Sequence, residues 1–205
     1  MIPRGRLVPL LLVVALGLSA CGGKASSHAN TSATNASGAA SPSTSTKPLT
    51  GSDLDRAFLQ GMVPHHQAAI DMAAVEVQKG KDSRTKGLAQ AIIDDQQREI
   101  AQMTQIAQAQ FKLTPMKEMS GPLGTLMGVP LSMDMSKMGQ DLATAPNTDH
   151  AFLTMMIPHH ASAILMADEE NNHGGDPQLR TLSQSIIAAQ AKEIGEMQAL
   201  LIGGI

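Results

Sequence analysis

Two short phrases of the chain carry its most reactive side chains, because each places two adjacent histidines directly after a proline. The histidines are His65 and His66 in the first phrase and His159 and His160 in the second. Neutral imidazole nitrogens bind copper, zinc, nickel and iron, and a histidine also exchanges protons near neutral pH. The two phrases therefore predict either metal binding or a buried hydrogen-bond network.

Each histidine pair is accompanied by methionine and glutamate on the same predicted helix face. With 100° per residue, Met72 and Glu76 fall within about 20° of His65 around the helix axis. Holding imidazoles and carboxylates on a buried face costs free energy unless they are paired or bind a metal. The candidate metal ligands of these two helices are His65, His66, Met62, Met72, Glu76, His159, His160, Met156, Met166 and Glu170.

The neighbouring helices supply polar side chains that could orient the histidines. The predicted apolar stripe of the second helix contains Gln96 near its centre and Glu99 on its shoulder, and Gln190 and Glu193 take these places in the fourth helix. A metal-binding histidine usually donates its other ring N–H to such an acceptor. The same His, Gln and Glu residues could instead form a hydrogen-bonded core network that serves packing alone.

A second group of candidate ligands lies between the two histidine phrases, in a segment rich in Gly, Pro and Ser. Met133, Met135 and Met138 stand close together there, in a stretch without a sustained helical or strand period. Thioethers are soft ligands that favour Cu(I) and Ag(I) over magnesium or calcium. A methionine-rich linker that binds nothing is the alternative interpretation.

An internal duplication determines the predicted fold. The second phrase follows the first at a constant offset of 94 residues, and the correspondence extends from Phe58 to Met103 in the first copy. Each copy predicts a helical hairpin, over residues 53–111 and residues 147–201, joined by the long connection 112–146. Neither hairpin can bury its apolar stripe alone, so we expect an all-α, ferritin-like four-helix bundle with internal pseudo-twofold symmetry.

Proline, glycine and capping residues predict where the helices begin, bend and end. Pro64 lacks an amide hydrogen, so the first helix should kink there or begin afresh. Ser52 or Asp53 should cap that helix at its start. Gly174 should end the third helix as the glycine that follows the last turn, and Pro177 should begin the fourth.

The amino terminus has the pattern of a bacterial lipoprotein signal. Residues 1–20 contain two arginines followed by an apolar stretch too short to cross a membrane. The four residues that end at Cys21 form a lipobox-like phrase, which predicts that Cys21 carries lipid; an ordinary signal peptide is the alternative. Residues 21–50 then predict a flexible tether rich in Ser, Thr and Ala, ahead of the duplicated domain over residues 51–205. We therefore expect an extracytoplasmic protein of the bacterial cell envelope, anchored to the membrane by lipid.

Composition and motifs argue against several other classes of protein. The formal net charge is −3 and the chain has no Trp or Tyr, so we expect no nucleic-acid partner. A di-metal carboxylate oxidase needs Glu-x-x-His on two helices, but the counterpart of Glu170–His173 in the first copy is Glu76–Lys79. Phosphate-loop and nucleophile-elbow motifs are absent from the sequence. We therefore expect neither an enzyme nor an organic cofactor.

The chain resembles the secreted or lipid-anchored bacterial proteins of the domain-of-unknown-function family number 305. The resemblance covers about residues 53–201 and rests on Met62-Val63-Pro64-His65-His66, Ala69-Ile70-Asp71-Met72-Ala73, Gln96, Glu99-Ile100, Met103 and their second copies. It implies a ferritin-like four-helix bundle and, for some members, periplasmic copper or silver binding and tolerance. The family positions carried over to this chain are His65, His66, Met72, Met103, His159, His160, Met166 and Met197. One departure is Leu165, which stands where the first copy has Asp71 and should face outward.

The leading hypothesis is that the chain binds Cu(I), Cu(II) or Ag(I) through inward His and Met residues and sequesters or hands over the metal. The linker methionines would capture or deliver the ion. The alternative is a non-catalytic envelope module whose His, Gln and Glu residues form a structural network, and a copper redox enzyme is a third idea. The sequence identifies neither a protein partner nor an oligomeric state. Pseudo-symmetry favours one shared site for the two histidine pairs.

Overall fold

The computed structural model describes residues 48–115 and 137–205. In those ranges the chain forms five α-helices and one π-helical turn: α1 Ser52–Lys79, α2 Ser83–Ile106 continued by the π-helical turn Ala107–Phe111, α3 Met138–Ala143, α4 Thr148–His173 and α5 Pro177–Gly203. The four long helices form two hairpins, α1 with α2 and α4 with α5, and α1 also packs along α4. The predicted all-α bundle of two repeated hairpins is confirmed.

Local sequence explains where most of the long helices begin. Asp82 caps α2 and Asp176 caps α5, and each side chain accepts hydrogen bonds from two backbone amides of the first turn. The start of α1 is different, because it follows Gly51, whose φ of 60° suits glycine, and no side chain of the described residues caps this helix. The predicted cap at Ser52 or Asp53 is therefore wrong.

The glycines that end α1 and α4 are required by space. Gly174 has a φ of −66° and a ψ of 154°, an extended conformation open to most residues. The left-handed conformation usual for a glycine at this place is therefore not adopted. A Cβ at Gly174 would collide with the carboxyl oxygen and the backbone oxygen of Glu170, and a Cβ at Gly80 would collide with the same atoms of Glu76. Each glycine thus allows a buried glutamate to fold back against the helix end.

The apolar stripes of the four long helices meet in one core. Phe58 and Leu59 of α1 are fully buried, and so are their duplicates Phe152 and Leu153 of α4. Burying a side chain of this size stabilises the fold by about 1.5–3 kcal/mol. Leu165 is 56% exposed, which confirms its outward position. Both α1 and α4 continue past their prolines, so neither helix begins afresh there.

Two aspartates join the hairpins at opposite ends of the α1–α4 contact. Asp55, near the start of α1, accepts hydrogen bonds from the amides of residues 175–176 in the α4–α5 turn, at 2.7 and 3.2 Å. Asp149, near the start of α4, accepts hydrogen bonds from the amides of residues 81–82 in the α1–α2 turn, at 3.0 and 2.8 Å. The two helices therefore run antiparallel, and a pseudo-twofold axis relates the hairpins.

The predicted connection between the hairpins contains a helix that its sequence pattern did not indicate. This helix, α3, packs against α1 and α4 and buries Met138 and Leu142 in the core. Packing therefore accounts for Met138, which was expected to lie in a linker with no core to fill. Met133 and Met135 lie outside the described residues.

The predicted signal peptide, the lipidation site Cys21 and nearly all of the tether also lie outside the described residues. None of the described helices combines the length and the apolar character needed to cross a membrane. Lipid anchoring remains a prediction from the sequence.

Candidate metal centre

Four histidines meet where α1 packs against α4, and we call them the histidine layer: His65, His66, His159 and His160. All four have 0% of their surface exposed. The ring centroids of His65 and His159 lie 3.9 Å apart, and the centroids within each adjacent pair lie 6.3 Å apart. The fold therefore brings both histidine pairs into one shared region.

Two glutamates orient the outer histidines of the layer. Glu99 Oε2 on α2 lies 2.7 Å from His66 Nε2, and Glu193 Oε2 on α5 lies 2.8 Å from His160 Nε2. A carboxylate oxygen accepts hydrogen bonds, so the Nε2–H tautomer of each ring satisfies this contact and leaves the lone pair on Nδ1. Both Nδ1 atoms are buried without a hydrogen-bond partner among the described residues. In metal sites, an acceptor of this kind fixes the orientation of a ligating histidine.

The inner histidines differ in their contacts. His65 Nε2 lies 2.7 Å from Ser162 Oγ, whereas both ring nitrogens of His159 lack a hydrogen-bond partner within residues 48–115 and 137–205. Burial lowers the pKa of His65 and of His159 well below its ordinary value, and neighbouring imidazoles lower each pKa further. Both rings are therefore neutral at physiological pH, which is the form that binds metal ions.

The methionines predicted as ligands in the long helices are buried in the hydrophobic core: Met62, Met72, Met103, Met156, Met166 and Met197. Helical register separates them. Met62 is one turn from His65, whereas Met72 is two turns away, about 10 Å along the axis. Met103 lies one turn beyond Glu99 on α2. Among these six, the methionines nearest in register to the histidine layer and its glutamates are thus Met62 and Met103, with their duplicates Met156 and Met197.

The two predicted glutamate ligands lie away from the histidine layer. Glu76 is about 16 Å from His65 along α1, at the end where Asp149 faces it, and Glu170 faces Asp55 at the opposite end. Burial raises the pKa of Glu76 to about 8 and that of Glu170 to about 9, and the facing aspartate adds to each shift. Both glutamates are therefore protonated at neutral pH, and we do not include them in the proposed metal site.

Two glutamine side chains add buried polar atoms close to the layer. Gln96 and Gln190 are each one turn from an anchoring glutamate and are 1% exposed. In the part of the chain that the structure describes, neither atom of either amide group has a hydrogen-bond partner. An unpaired buried polar group costs about 1–3 kcal/mol. This surplus of buried polar atoms favours a bound ion or water beside the histidines.

The donor types decide which kind of ion fits. Within residues 48–115 and 137–205, no three His, Cys, Asp or Glu side chains are arranged to hold a metal ion. These ranges therefore offer no zinc-type site made from nitrogen and oxygen ligands alone. Neutral imidazoles one helical turn from buried thioethers instead suit Cu(I) and Ag(I), which accept soft sulfur ligands.

The sequence pattern of a family described as a domain of unknown function, DUF305, matches residues 18–107 and again residues 110–201. The chain belongs to the DUF305 family. The first match includes α1 and α2, and the second includes α3, α4 and nearly all of α5. Each DUF305 match thus contains one hairpin and contributes one histidine pair to the shared layer.

Solved structures resemble this DUF305 protein over most of its length. CopM in its Cu(II)-bound form is 38% identical with a TM-score of 0.59, and the match covers 71% of this chain and 93% of CopM. CopM bound to Cu(I) gives the same values, and CopM co-crystallised with Ag is 38% identical with a TM-score of 0.56. A DUF305 fragment from Deinococcus radiodurans is 25% identical with a TM-score of 0.61, covering 74% of this chain and 97% of the fragment.

One further relative matches over a shorter stretch. The uncharacterized protein L153 of Acanthamoeba polyphaga mimivirus is 48% identical over 52 residues, which is 25% of this DUF305 chain. The match spans 34% of that viral protein, about a third of its length.

Three polar contacts of this DUF305 protein were not anticipated from the sequence. Ser162 contacts His65, and Asp55 and Asp149 each cap the turn of the opposite hairpin. A signal for Ser162 does exist, because it is a polar residue on a buried stripe where the first copy has Ala68. The two aspartates are duplicates in the first turns of α1 and α4, where an acid normally indicates only a favourable helix start.

Proposed function

We propose that this DUF305 protein binds Cu(I), Cu(II) or Ag(I) at the histidine layer and holds or hands over the metal without converting a substrate. The observation that carries the proposal is the set of buried imidazole nitrogens without hydrogen-bond partners among the described residues. Two of them, His66 Nδ1 and His160 Nδ1, belong to rings that a carboxylate anchors through the opposite nitrogen. Lone pairs oriented in this way favour metal binding over packing alone.

Similarity to CopM supports the choice of metal. CopM structures hold Cu(II), Cu(I) or Ag, and the match to each covers 93% of CopM at 38% identity. Those are three soft or borderline ions, and imidazole together with thioether suits all three. We extend this preference to the present chain, with imidazoles of the histidine layer as nitrogen ligands, fewer than three to any one ion among the described residues, and Met62, Met103, Met156 and Met197 as sulfur donors in reach by register.

The burial of the layer determines what the site does with its ion. Neutral rings do not repel a cation as imidazolium would, so metal binding need not displace protons from His65 or His159. The surrounding apolar core keeps bulk water away from the ion. We infer a carrier or reservoir for copper, attached through Cys21 to the extracytoplasmic face of a bacterial membrane. Met133 and Met135 would pass the ion to or from the bundle.

The first test is an anaerobic titration of the full chain, purified in detergent, with Cu(I) against a competing chelator. His159→Ala is the mildest site variant, because its ring has no hydrogen bond among the described residues to lose. Changing all four histidines to Ala should abolish tight binding, with circular dichroism as the check on folding. Combined Met133→Leu and Met135→Leu changes should leave tight binding in place. Binding that survives loss of the four histidines would overturn the proposal.

A structural module is the second candidate, and specific hydrogen bonds favour it. His65, His66 and His160 already have protein acceptors for one ring nitrogen each. If these bonds served packing alone, copper would leave the melting temperature unchanged. Metal that binds only the native state would instead stabilise it by about 2.7 kcal/mol at a free concentration one hundred times the Kd.

A further inference from the structure

The histidine layer is nearly symmetric, and a single hydroxyl group breaks its symmetry. The histidines and their anchoring glutamates all recur at the 94-residue offset. Ser162 does not, because the equivalent position in the first copy is Ala68. His65 therefore has a hydrogen-bond partner on the opposite hairpin, while its duplicate His159 has none among the described residues.

The hydroxyl hydrogen of Ser162 already takes part in a hydrogen bond. Ser162 Oγ lies 2.7 Å from the backbone oxygen of His159, one turn earlier in α4. A carbonyl oxygen can only accept, so Ser162 donates its one hydrogen to His159. The serine oxygen must then accept the bond from His65 Nε2, at 2.7 Å. His65 is thus held with its hydrogen on Nε2 and its lone pair on Nδ1, as His66 and His160 are by their glutamates.

We propose that Ser162 is a positioning residue that sets the tautomer of His65 and makes the two halves of the layer chemically different. Three rings are anchored through Nε2 and present Nδ1, whereas His159 is the one ring of the layer without an anchor among the described residues. His65 is a pre-oriented ligand, and His159 can exchange tautomers and adjust when an ion arrives. The ligand part of this inference rests on the proposed function, but the tautomer part does not.

The tautomers are measured directly in the metal-free full chain. Nitrogen-15 NMR of labelled histidine distinguishes a ring nitrogen that bears hydrogen from one that bears a lone pair. In the unaltered chain we expect His65, His66 and His160 as Nε2–H rings and His159 as a mixture of both tautomers. Ser162→Ala should convert His65 to a mixture, and Ser162→Thr, which keeps the hydroxyl, should restore the Nε2–H form.

Ala68→Ser is the reciprocal variant, because it offers His159 the kind of acceptor that Ser162 gives to His65. It should move His159 towards a single tautomer, and it keeps the test decisive if Ser162→Ala fails to fold. A His65 that stays Nε2–H in Ser162→Ala, or that carries its hydrogen on Nδ1 in the unaltered chain, would overturn the positioning role.

Copper affinity separates this inference from the proposed function. Removing an acceptor that orients a metal-binding histidine typically costs 10- to 100-fold in affinity, so Ser162→Ala should weaken Cu(I) binding by about that factor. Ser162→Thr should retain the original affinity. If the tautomers behave as expected and the chain binds no copper, the anchor stands and the metal site is refuted. If copper binds equally well in Ser162→Ala, the metal site stands and the ligand part of the inference is refuted.

Discussion

The rings of His65 and His159 lie 3.9 Å apart, although 94 residues separate them in the chain. They meet because α1 and α4 are duplicates that run antiparallel and present the same face to each other. Rings this close and fully buried remain uncharged, since burial and neighbouring imidazoles both lower their pKa. These two rings at the centre of the bundle are thus uncharged and still carry nitrogen lone pairs.

The carboxylate that anchors His160 should matter more for copper than for folding. Changing Glu193→Ala should weaken Cu(I) binding by about 10- to 100-fold, because the imidazole loses the acceptor that orients it. Glu193→Gln keeps an acceptor oxygen and should lose less. The matched control is Glu196→Ala on the same helix, where the side chain is 45% exposed and pairs with Lys192. Competition with a chelator measures the Cu(I) affinity of all three variants. Equal affinities for Glu193→Ala and Glu196→Ala would contradict the role of Glu193 in orienting His160.

The contribution of each methionine sulfur to Cu(I) affinity should depend on its distance from His65 along the helix. Met62→Leu removes a thioether one turn from His65, so it should weaken Cu(I) binding. Met72→Leu removes one about 10 Å away along α1 and should leave the affinity unchanged. Leu replaces Met at similar volume and costs less than about 1.5 kcal/mol, so both variants should remain folded. If Met72→Leu has the larger effect in the same titration, register does not determine which methionines bind.

The helices and their pairing could be predicted from the sequence because they follow from periodicity and from a long constant offset. Pseudo-symmetry favours the meeting of His65 with His159, but deriving it requires knowing that α1 packs along α4. Gly174 shows where pattern reasoning fails. The pattern predicts a glycine that ends the helix, but the reason for it is that the Glu170 carboxyl occupies the space of a Cβ. Such a contact arises only after folding, and the single sequence does not contain it.

Gly174→Ala should therefore destabilise the protein by roughly 1–3 kcal/mol, the usual cost of overpacking a filled site. Gly195→Ala is the matched control. No described residue lies within 4 Å of a Cβ at that exposed helical position, so alanine should stabilise the fold by about 0.5–1 kcal/mol. Denaturant unfolding of the metal-free chain gives both values. If alanine changes the free energy of unfolding in the same direction at both positions, a steric role for Gly174 is excluded.

Stability should fall as the pH rises, because Glu170 holds a proton in the folded state. Burial raises its pKa from 4.5 to about 9, with further increases from Asp55 and Asp176 that Arg180 partly offsets. Between those two values the native state binds more protons than the unfolded state, so the free energy of unfolding decreases as pH increases. One such proton contributes a slope of up to about 1.4 kcal/mol per pH unit.

Unfolding measurements across this pH range test the prediction. Glu170→Gln cannot titrate and should give a flatter profile between pH 4.5 and about pH 9 than the unaltered chain. Asp168→Asn, an exposed position on the same helix, should keep the original slope. A Glu170→Gln profile that parallels that of the unaltered chain would show that this carboxyl is ionised in the native protein.

The turn caps by Asp55 and Asp149 have a consequence for the origin of the fold. Asp55 completes the turn of the second hairpin, and Asp149 completes the turn of the first, so each hairpin supplies what the other lacks. This reciprocal exchange is the signature of an isologous dimer, in which one surface is complementary to itself. The chain therefore has the geometry of two similar subunits joined in tandem. A true homodimer would give both histidines the same neighbour, so the serine beside His65 and the alanine beside His159 require two copies that are not identical.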